Sequence, residues 1–545
     1  MSKVVVIGLD GAPFSLIHQW SEEGLLPNLH RLIRGGTFGR LLSSYLPETP
    51  IAWNSIITGK NAGKHGVYDW MKREEGSYRM GVSLSHSCQE PRVWDLIGEE
   101  GKKAGVFNVP LTYPPQPLNG FLVSGFDTPS TKVCFTYPDS LSDEIRSRIQ
   151  DYVLANREAY TRGTERKYVD GLLYSLEKKE AAVLYLIDRY EVDFSLYVFM
   201  EIDHLHHKLW RLIEEGSEEG RKLFQEVYQR MDETVGKIVN RFNEETTFFV
   251  VSDHGAGALE GIMFINKWLM EQGWLKLKED PSLYLKSLLS RTGLVPKVYR
   301  LLCKFGLGGL GKLLPTSFQY DLATSFISFE NVDWEQTRAY AFGEYGQIFI
   351  NLKGREPQGI VAPGEEYEQL LREISEKLRE LVHPKTGETM IREVFLKEAL
   401  YSGPMLEKAP DLSFAIGNYR YDSSIQFGLG VKGIFGSPEF EDSGTHRREG
   451  MLIASGKGIK SNFNIEGATL VDIAPTALYL LDLPIPTDMD GNVLEALFRE
   501  DWMKSHPIRH QEKESKKISS EAKEELSPEE MEMVKKKLRT LGYLD

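Results

Sequence analysis

Short apolar runs along this chain alternate with longer stretches in which apolar residues recur every three or four positions. The run "VVVIGL" at 4–9 is typical of a buried strand, and the longer stretches are typical of amphipathic helices. Further strands are predicted at 104–109, 194–200, 247–252, 412–416 and 451–454, and long helices at 166–190, 221–242 and 366–382. The segment "LPNLHRLIRGG" predicts another helix, which ends at two glycines. This alternation predicts an α/β fold with a mostly parallel sheet covered by helices.

Length and charge narrow the class of protein. A chain of 545 residues predicts more than one domain, or one large domain with insertions. The formal net charge of −14 argues against general nucleic-acid binding, so we expect no sequence-specific nucleic-acid partner. Cys88, Cys134 and Cys303 lie far apart and predict neither a disulfide framework nor a cysteine zinc site. The apolar run before Asp10 is too short for a signal peptide, so we expect a cytoplasmic protein.

Residues 261–345 interrupt the alternation and are predicted to form an inserted cap. The part from 281 to 320 contains six basic residues and no acidic one, spaced among leucines, glycines and aromatics. An amphipathic cap that packs on the sheet is the ordinary interpretation. The alternatives are a lid that contacts an anionic substrate and a weak contact with a membrane surface or lipid head group through 281–320.

The predicted organisation therefore has four parts. Residues 1–260 and 346–500 form the two parts of a catalytic core, 261–345 the cap, and 501–545 a charged linker with a C-terminal helix. Ser527 and Glu530 have the spacing of a capping box at the start of that helix. The residues predicted to dock it are Met533, Leu538, Leu541 and Tyr543.

Metal-binding residue types follow several predicted strands. Each motif alone has an ordinary structural explanation, such as a hydrogen-bonded Asp–His pair or a β-turn. If a helix begins near Asp203, then Asp203 and His207 share one face and can bind one cation. Ligands of open α/β sheets bind at the carboxyl ends of strands, so these loops are expected to converge. The candidates are Asp10, Asp203, His207, Asp253, His254 and His446. Mixed carboxylate and imidazole ligands favour zinc or manganese, and six ligands suffice for two open three-ligand sites.

The stretch "LPETPIAWN" predicts a helix start with Thr49 at the N-cap and Pro50 at the first helical position. A threonine that only caps a helix is the ordinary explanation. The positive end of a helix also favours an alkoxide or an incoming phosphate, so Thr49 is a candidate nucleophile.

Taken together and in order, six motifs resemble the alkaline phosphatase superfamily, and most closely its type I phosphodiesterase/nucleotide pyrophosphatase branch. They are "GLDGA", "TPIAWNSIITGKNAGKHGVYD", "IDHLHH", "VVSDHG", "GTHRREG" and "PIPTDMDGNVL". The resemblance implies a three-layer α/β/α core with a mostly parallel central sheet and an inserted cap subdomain. It also implies two divalent metal ions, with zinc the first choice and manganese the second.

By this resemblance, Asp203, His207 and His446 hold one metal, and Asp10, Asp253 and His254 hold the other. Thr49 is similar to the family's nucleophile, which bridges toward both ions and forms a phospho-threonine intermediate. His204 and His206 are interpreted as neighbours rather than ligands. The implied activity is the metal-dependent cleavage of a phosphodiester or pyrophosphate bond in a small phosphate-ester substrate.

The sequence departs from the family pattern after "HG". Nucleotide-processing relatives commonly carry an asparagine there, whereas this chain has "HGVYDW". The candidate substrate-binding residues are Asn54, Lys60, Asp69 and Trp70, with Lys64 as an alternative to Lys60. A threonine nucleophile disfavours sulfatases and serine-based phosphoglycerate mutases. A phosphotransferase, a phosphonate hydrolase, a phosphomonoesterase and a non-catalytic metal-binding relative remain alternatives, and the substrate and oligomeric state stay open.

Overall fold

A nine-stranded, mostly parallel sheet forms the centre of the protein. The computed structural model describes residues 3–279, 329–343, 345–428, 431–438, 442–512 and 526–543. Three strand pairs of this sheet are antiparallel. They are Glu449–Ser455 with Thr37–Leu42, Glu449–Ser455 with Thr246–Val251, and Gly120–Ser124 with Thr136–Tyr137. In spatial order the strands are Phe463–Thr469, Thr37–Leu42, Glu449–Ser455, Thr246–Val251, Lys3–Leu9, Phe194–Phe199, Ala104–Val109, Gly120–Ser124 and Thr136–Tyr137.

Both faces of this sheet are covered by helices, which gives three layers. Alternate residues of Lys3–Leu9 enter different hydrophobic clusters: Val4 and Val6 pack on one face, and Val5 and Ile7 on the other. The helices of the first face are Thr49–Thr58, Val93–Glu99, Ile473–Leu480 and Pro528–Leu541. Those of the second face are Phe14–Glu22, Pro27–Gly35, Ser140–Arg148, Glu165–Arg189, Glu201–Glu214 and Glu218–Val239.

The residues between Gly261 and Gly436 build separate sheets with their own hydrophobic cluster. One sheet has the order Ala339–Ala341, Gly346–Ile350, Leu412–Phe414 and Phe395–Leu396, and the other has the order Tyr421–Ser424, Gly261–Phe264 and Phe435–Gly436. The helices in the described part of this region are Ile265–Glu271, Glu365–Arg379 and Lys397–Leu400. The predicted cap begins at 261, where this region starts, and its predicted end at 345 lies inside the region. The basic segment 281–320 lies outside the described residues.

Short elements complete the described structure. The remaining strand pairs are Met71–Arg73 with Met80–Val82, Gly255–Ala258 with Gly444–Arg447, and Ile485–Pro486 with His510–Gln511. Two short helices span Ala62–His65 and Glu500–Ser505, and single 3₁₀ turns span Ser85–Ser87, Phe329–Asn331, Leu406–Lys408, Leu470–Asp472 and Glu495–Leu497. None of the helices in the described ranges is long and apolar enough to cross a lipid bilayer.

The predicted elements are mostly confirmed, and their ends move by a few residues. The helix predicted at 221–242 spans Glu218–Val239, because the Ser217 side chain accepts a hydrogen bond from the Gly220 amide and starts the helix earlier. The strand predicted at 412–416 exists as Leu412–Phe414, but it lies outside the central sheet. The capping box of Ser527 and Glu530 is present at the C-terminal helix. Met533 was wrongly predicted to dock this helix, since 42% of it is exposed.

Candidate metal centre and nucleophile

Three neighbouring parallel strands end at one place in the central sheet. Thr246–Val251, Lys3–Leu9 and Phe194–Phe199 lie side by side, so the loops that follow them meet at the same edge. These loops carry Asp253, Asp10 and Asp203. The strand Gly444–Arg447 pairs with Gly255–Ala258 and places His446 opposite Ala256. The predicted convergence of the three loops is therefore observed, and the strand that carries His446 lies beside them.

One group consists of Asp203, His207 and His446, and each offers a ligand atom within 4.8 Å of the others. Asp203 and His207 lie one turn apart on the helix Glu201–Glu214, with His207 Nε2 3.3 Å from Asp203 Oδ2. His446 Nε2 lies 3.0 Å from His207 Nε2 and 3.6 Å from Asp203 Oδ1. Three ligand atoms that converge in this way can hold one cation.

A second group joins Asp10, Asp203 and His254, so Asp203 belongs to both groups. His254 Nε2 lies 3.5 Å from Asp10 Oδ1 and 3.3 Å from Asp253 Oδ2. Asp253 also accepts a hydrogen bond from the Gly11 amide at 3.2 Å, which fixes its orientation. Gly11 has a φ of 67°, and a Cβ there would lie 2.5 Å from Asp203 Oδ1, so the turn after Asp10 requires glycine.

Three carboxylate oxygens of this centre lack a hydrogen-bond donor among the described residues. Asp10 Oδ1, Asp203 Oδ1 and Asp253 Oδ2 are buried and receive no hydrogen bond from the described part of the chain. Buried acceptors without a donor are costly, and a bound cation would satisfy all three. The donor set of carboxylates and imidazoles therefore fits divalent metal ions of the zinc and manganese kind.

The electrostatics of the centre reflect the same crowding. Burial raises the pKa of Asp10 and of Asp253 well above the usual range, and the negative charge of Asp203 raises both further. Burial also opposes ionisation of Asp203, but its contacts with His207, then with His446, hold its pKa well below the usual value. Burial lowers the pKa of His254 to about 4. A neutral imidazole at pH 7 is the form that coordinates a metal ion.

Thr49 lies at the start of the helix Thr49–Thr58, and its Oγ1 is 3.1 Å from His254 Nε2. The prediction that Thr49 is the N-cap was wrong by one residue: Glu48 holds that position, and the helix begins at Thr49 itself. Thr49 still lies in the first helical turn, where the backbone amides and the helix dipole favour negative charge. Its side chain is fully buried.

The four predicted substrate-binding residues have different surroundings. Asn54 lies on the same helix as Thr49, and its Nδ2 donates to the Pro50 carbonyl at 2.8 Å. Lys60 is buried in ion pairs with two carboxylates, at 2.7 and 2.5 Å. Asp69 accepts from the Met71 amide at 3.0 Å. Trp70 is fully buried against other aromatic rings. A substrate contact by any of these residues stays a prediction.

Two further histidines of the helix Glu201–Glu214, His204 and His206, lie outside both groups of candidate ligands. Burial lowers the pKa of His204 and of His206 to about 3 in each case. His206 Nε2 lies 2.9 Å from the Tyr228 hydroxyl. Neither appears in the ligand groups found among the described residues. Their interpretation as neighbours is consistent with these positions.

Three residues near the centre were not predicted as contributors to it. The Trp53 Nε1 donates to Asp10 Oδ2 at 2.6 Å, and the Tyr543 hydroxyl donates to Asp203 Oδ2 at 2.5 Å. Burial, with the charges of Asp69 and Asp422, raises the pKa of Glu48 well above its usual value. Trp53 follows Thr49 by four residues, so the two could be expected on the same face of the predicted helix. Nothing near Tyr543 in the sequence indicates a contact with Asp203.

The fold and the converging side chains together define a member of the alkaline phosphatase superfamily. Residues 4–304 match the model of the type I phosphodiesterase/nucleotide pyrophosphatase family, and the chain belongs to that family. A sequence comparison with curated proteins found no match. Our prediction of the family is therefore confirmed.

Solved structures with the same fold agree with this assignment. One is an inactive variant of murine ectonucleotide pyrophosphatase/phosphodiesterase 5 in complex with AMP, with a TM-score of 0.50, 11% identity, and coverage of 92% of this chain and all of the mouse chain. Another is phosphonoacetate hydrolase from Sinorhizobium meliloti 1021 in complex with phosphonoformate, with a TM-score of 0.51, 12% identity, and coverage of 88% of this chain and 95% of the other. At these identities the likeness shows the fold.

Proposed function

We propose that this protein is a metal-dependent phosphohydrolase that cleaves a phosphodiester or pyrophosphate bond of a small substrate, with Thr49 as the nucleophile. The observation that carries the proposal is the position of Thr49 Oγ1, 3.1 Å from His254 Nε2 and in the first turn of its helix. Family membership supports a hydrolase of this kind. The proposed ligands are Asp203, His207 and His446 for one cation, and Asp10, Asp253 and His254 for the other, with Thr49 facing both.

Bound cations would stabilise negative charge on the phosphoryl oxygens and on the threonine oxygen. The residues of the chain would perform the remaining work. In the first step, the Thr49 hydroxyl loses its proton to solvent and Oγ1 forms a bond to phosphorus, while the ester or anhydride bond to the leaving group breaks and the leaving oxygen departs with the bonding electron pair. In the second step, the oxygen of a water molecule bonds to phosphorus, the bond to Thr49 breaks with its electron pair left on Oγ1, and the proton lost by the water is replaced on Oγ1, which restores the hydroxyl.

The geometry also explains why this threonine is suited to the role. The first backbone amides of the helix Thr49–Thr58 and the positive end of its dipole would favour a phosphoryl group beside Thr49. Zinc or manganese would suit the mixed ligand set. Because the structure places Lys60 in two ion pairs, we propose that Asn54, on the same helix as Thr49, is the better candidate for a phosphoryl-oxygen contact.

The test uses purified protein, chelated and then reloaded with zinc or manganese. We expect metal-restored cleavage of bis-p-nitrophenyl phosphate in preference to p-nitrophenyl phosphate. Thr49→Ala should lower turnover by at least about a hundredfold, as expected for loss of a covalent nucleophile, while metal content stays unchanged. Thr49→Ser keeps a hydroxyl and is the matched control. Near-full activity of Thr49→Ala would overturn the covalent mechanism.

The same assay separates the alternatives. Release of phosphate from phosphonoacetate, without cleavage of the diester, would identify a phosphonate hydrolase. Transfer of the phosphoryl group to an added alcohol in preference to water would identify a phosphotransferase. Metal binding without turnover of any of these substrates would identify a non-catalytic relative.

A further inference from the structure

The C-terminal helix Pro528–Leu541 is held firmly against the catalytic core. The Ser527 side chain accepts from the Glu530 amide at its start, and Val534, Leu538 and Leu541 are buried in the hydrophobic cluster under one face of the central sheet. Lys537 is half-buried, and its ammonium group donates to the carbonyls of Phe126, at 2.9 Å, and Thr128. A helix anchored by apolar and polar contacts places the residues that follow it at a defined position.

The chain turns at Gly542 and inserts the next side chain into the candidate metal centre. Gly542 has a φ of 99°, and a Cβ at this position would lie 3.3 Å from both His207 Cγ and Asp442 Oδ1. Glycine thus permits both the turn and the close approach. Tyr543 is fully buried, and its ring centroid lies 5.3 Å from that of His207.

The ring of Tyr543 packs among other aromatic rings. Its ring packs against Trp70, Phe126 and His204, with centroid distances of 5.3, 5.4 and 5.8 Å. A phenylalanine would satisfy this pocket equally well. The hydroxyl, however, donates to Asp203 Oδ2 at 2.5 Å, across 340 residues of sequence. The polar atom of Tyr543 is thus used for a single contact with the carboxylate shared by both candidate ligand groups.

From this contact we infer that Tyr543 is a positioning residue for Asp203. The hydroxyl fixes the rotation of the carboxylate about its last bond, so that Oδ1 faces His446. Side chains that orient a metal ligand through a hydrogen bond typically contribute about 10- to 100-fold to metal affinity or activity. The inference rests on the cation centre of the proposed function, and it adds the C-terminal segment as a structural part of that centre.

The test measures metal binding by the full-length Tyr543→Phe variant without any phosphate ester. Zinc affinity is determined by competition with a chromogenic chelator, and the absorption spectrum of the cobalt-substituted protein reports ligand geometry. We expect zinc affinity to fall by about 10- to 100-fold for at least one site, with a changed cobalt spectrum. Tyr197→Phe is the matched control, because that tyrosine is also buried and donates to Ser195 at 3.0 Å, away from the ligand groups.

Each outcome decides the inference. Unchanged zinc affinity and an unchanged cobalt spectrum in Tyr543→Phe would overturn it, as would an equal loss in Tyr197→Phe. Weakened metal binding in Tyr543→Phe supports the inference even if the wild-type protein cleaves no phosphate ester. The absence of cleavage would overturn the proposed function and leave this inference standing. A wild-type protein that binds no cation would overturn both.

Discussion

Replacement of Asp253 by asparagine should change the stability of the metal-free and metal-loaded protein in opposite directions. Asp253 Oδ2 has no donor among the described residues, whereas Oδ1 accepts from the Gly11 amide. Asparagine keeps an acceptor oxygen for that amide and removes one negative charge. Without a cation the charge opposes folding, because the neighbouring Asp10 and Asp203 are also buried carboxylates.

The distances give the size of the effect. Asp253 Oδ2 and Asp10 Oδ1 lie 3.3 and 3.5 Å from the same atom, His254 Nε2, so they are at most about 7 Å apart. Two unit charges at about 7 Å and an effective dielectric constant of about 20 repel by roughly 2 kcal/mol. At pH 8 the metal-free variant should therefore be more stable than the wild type by about 2 kcal/mol. With cations present at about a thousand times their dissociation constant, the wild type gains about 4 kcal/mol. The variant should gain less, since it has lost a ligand.

The assay is urea unfolding at pH 8, with a chelator and then with excess zinc. We expect the midpoint of Asp253→Asn to lie above the wild-type midpoint with the chelator and below it with zinc. Asp139→Asn is the matched control: this aspartate is exposed and caps no helix amide, so its change should stay within about 0.5 kcal/mol in both conditions. A lower midpoint of Asp253→Asn in both conditions would refute the argument from carboxylate repulsion.

Three further changes test the packing and charges around the core. Burial raises the pKa of Asp127 to about 6. Ionisation of this buried carboxyl therefore lowers the stability of the protein as the pH rises through that value. Asp127→Asn should raise the free energy of unfolding by about 2 to 3 kcal/mol at pH 8 but not at pH 4. Lys179 and Glu201 form a buried ion pair at 2.9 Å. Lys179→Met should lower the free energy of unfolding in urea by about 3 to 5 kcal/mol, because it leaves the Glu201 charge buried without a partner. A double variant that also removes the Glu201 charge should recover much of this loss. Leu538→Ala should destabilise the protein by about 2 to 5 kcal/mol, measured by the same method, and a loss below 1 kcal/mol would show that the C-terminal helix does not pack as described.

The local pattern of the sequence determined the elements of the core and most of the candidate site. Strands and helices have different hydrophobic periods, so the run at 104–109 was predicted with the bounds that the structure has, Ala104–Val109. Because parallel strands end at one edge of a sheet, the acidic loops after them could be expected to meet there. The spacing of Asp203 and His207 likewise followed from helical geometry.

Positions that depend on the exact helical phase were predicted less well. Met533 precedes the buried Val534 by one residue, and a step of one residue rotates a side chain by about 100° around the helix, which leaves Met533 exposed. The start of the helix Thr49–Thr58 was predicted one residue too late for a related reason. The N-cap is defined by backbone angles at Glu48 that the residue types alone did not reveal.

Contacts between distant segments were decided by the tertiary structure alone. The donation from Tyr543 to Asp203 joins residues 340 apart, and that from Trp53 to Asp10 joins residues 43 apart. The sequence by itself determined which side chains could bind a cation and which element carries most of them, because these properties follow from residue type and local periodicity, although His446 was expected in a loop and lies on the strand Gly444–Arg447. Which neighbours orient those side chains depends on how the helices pack on the sheet, and packing joins atoms that the order of the chain leaves unrelated.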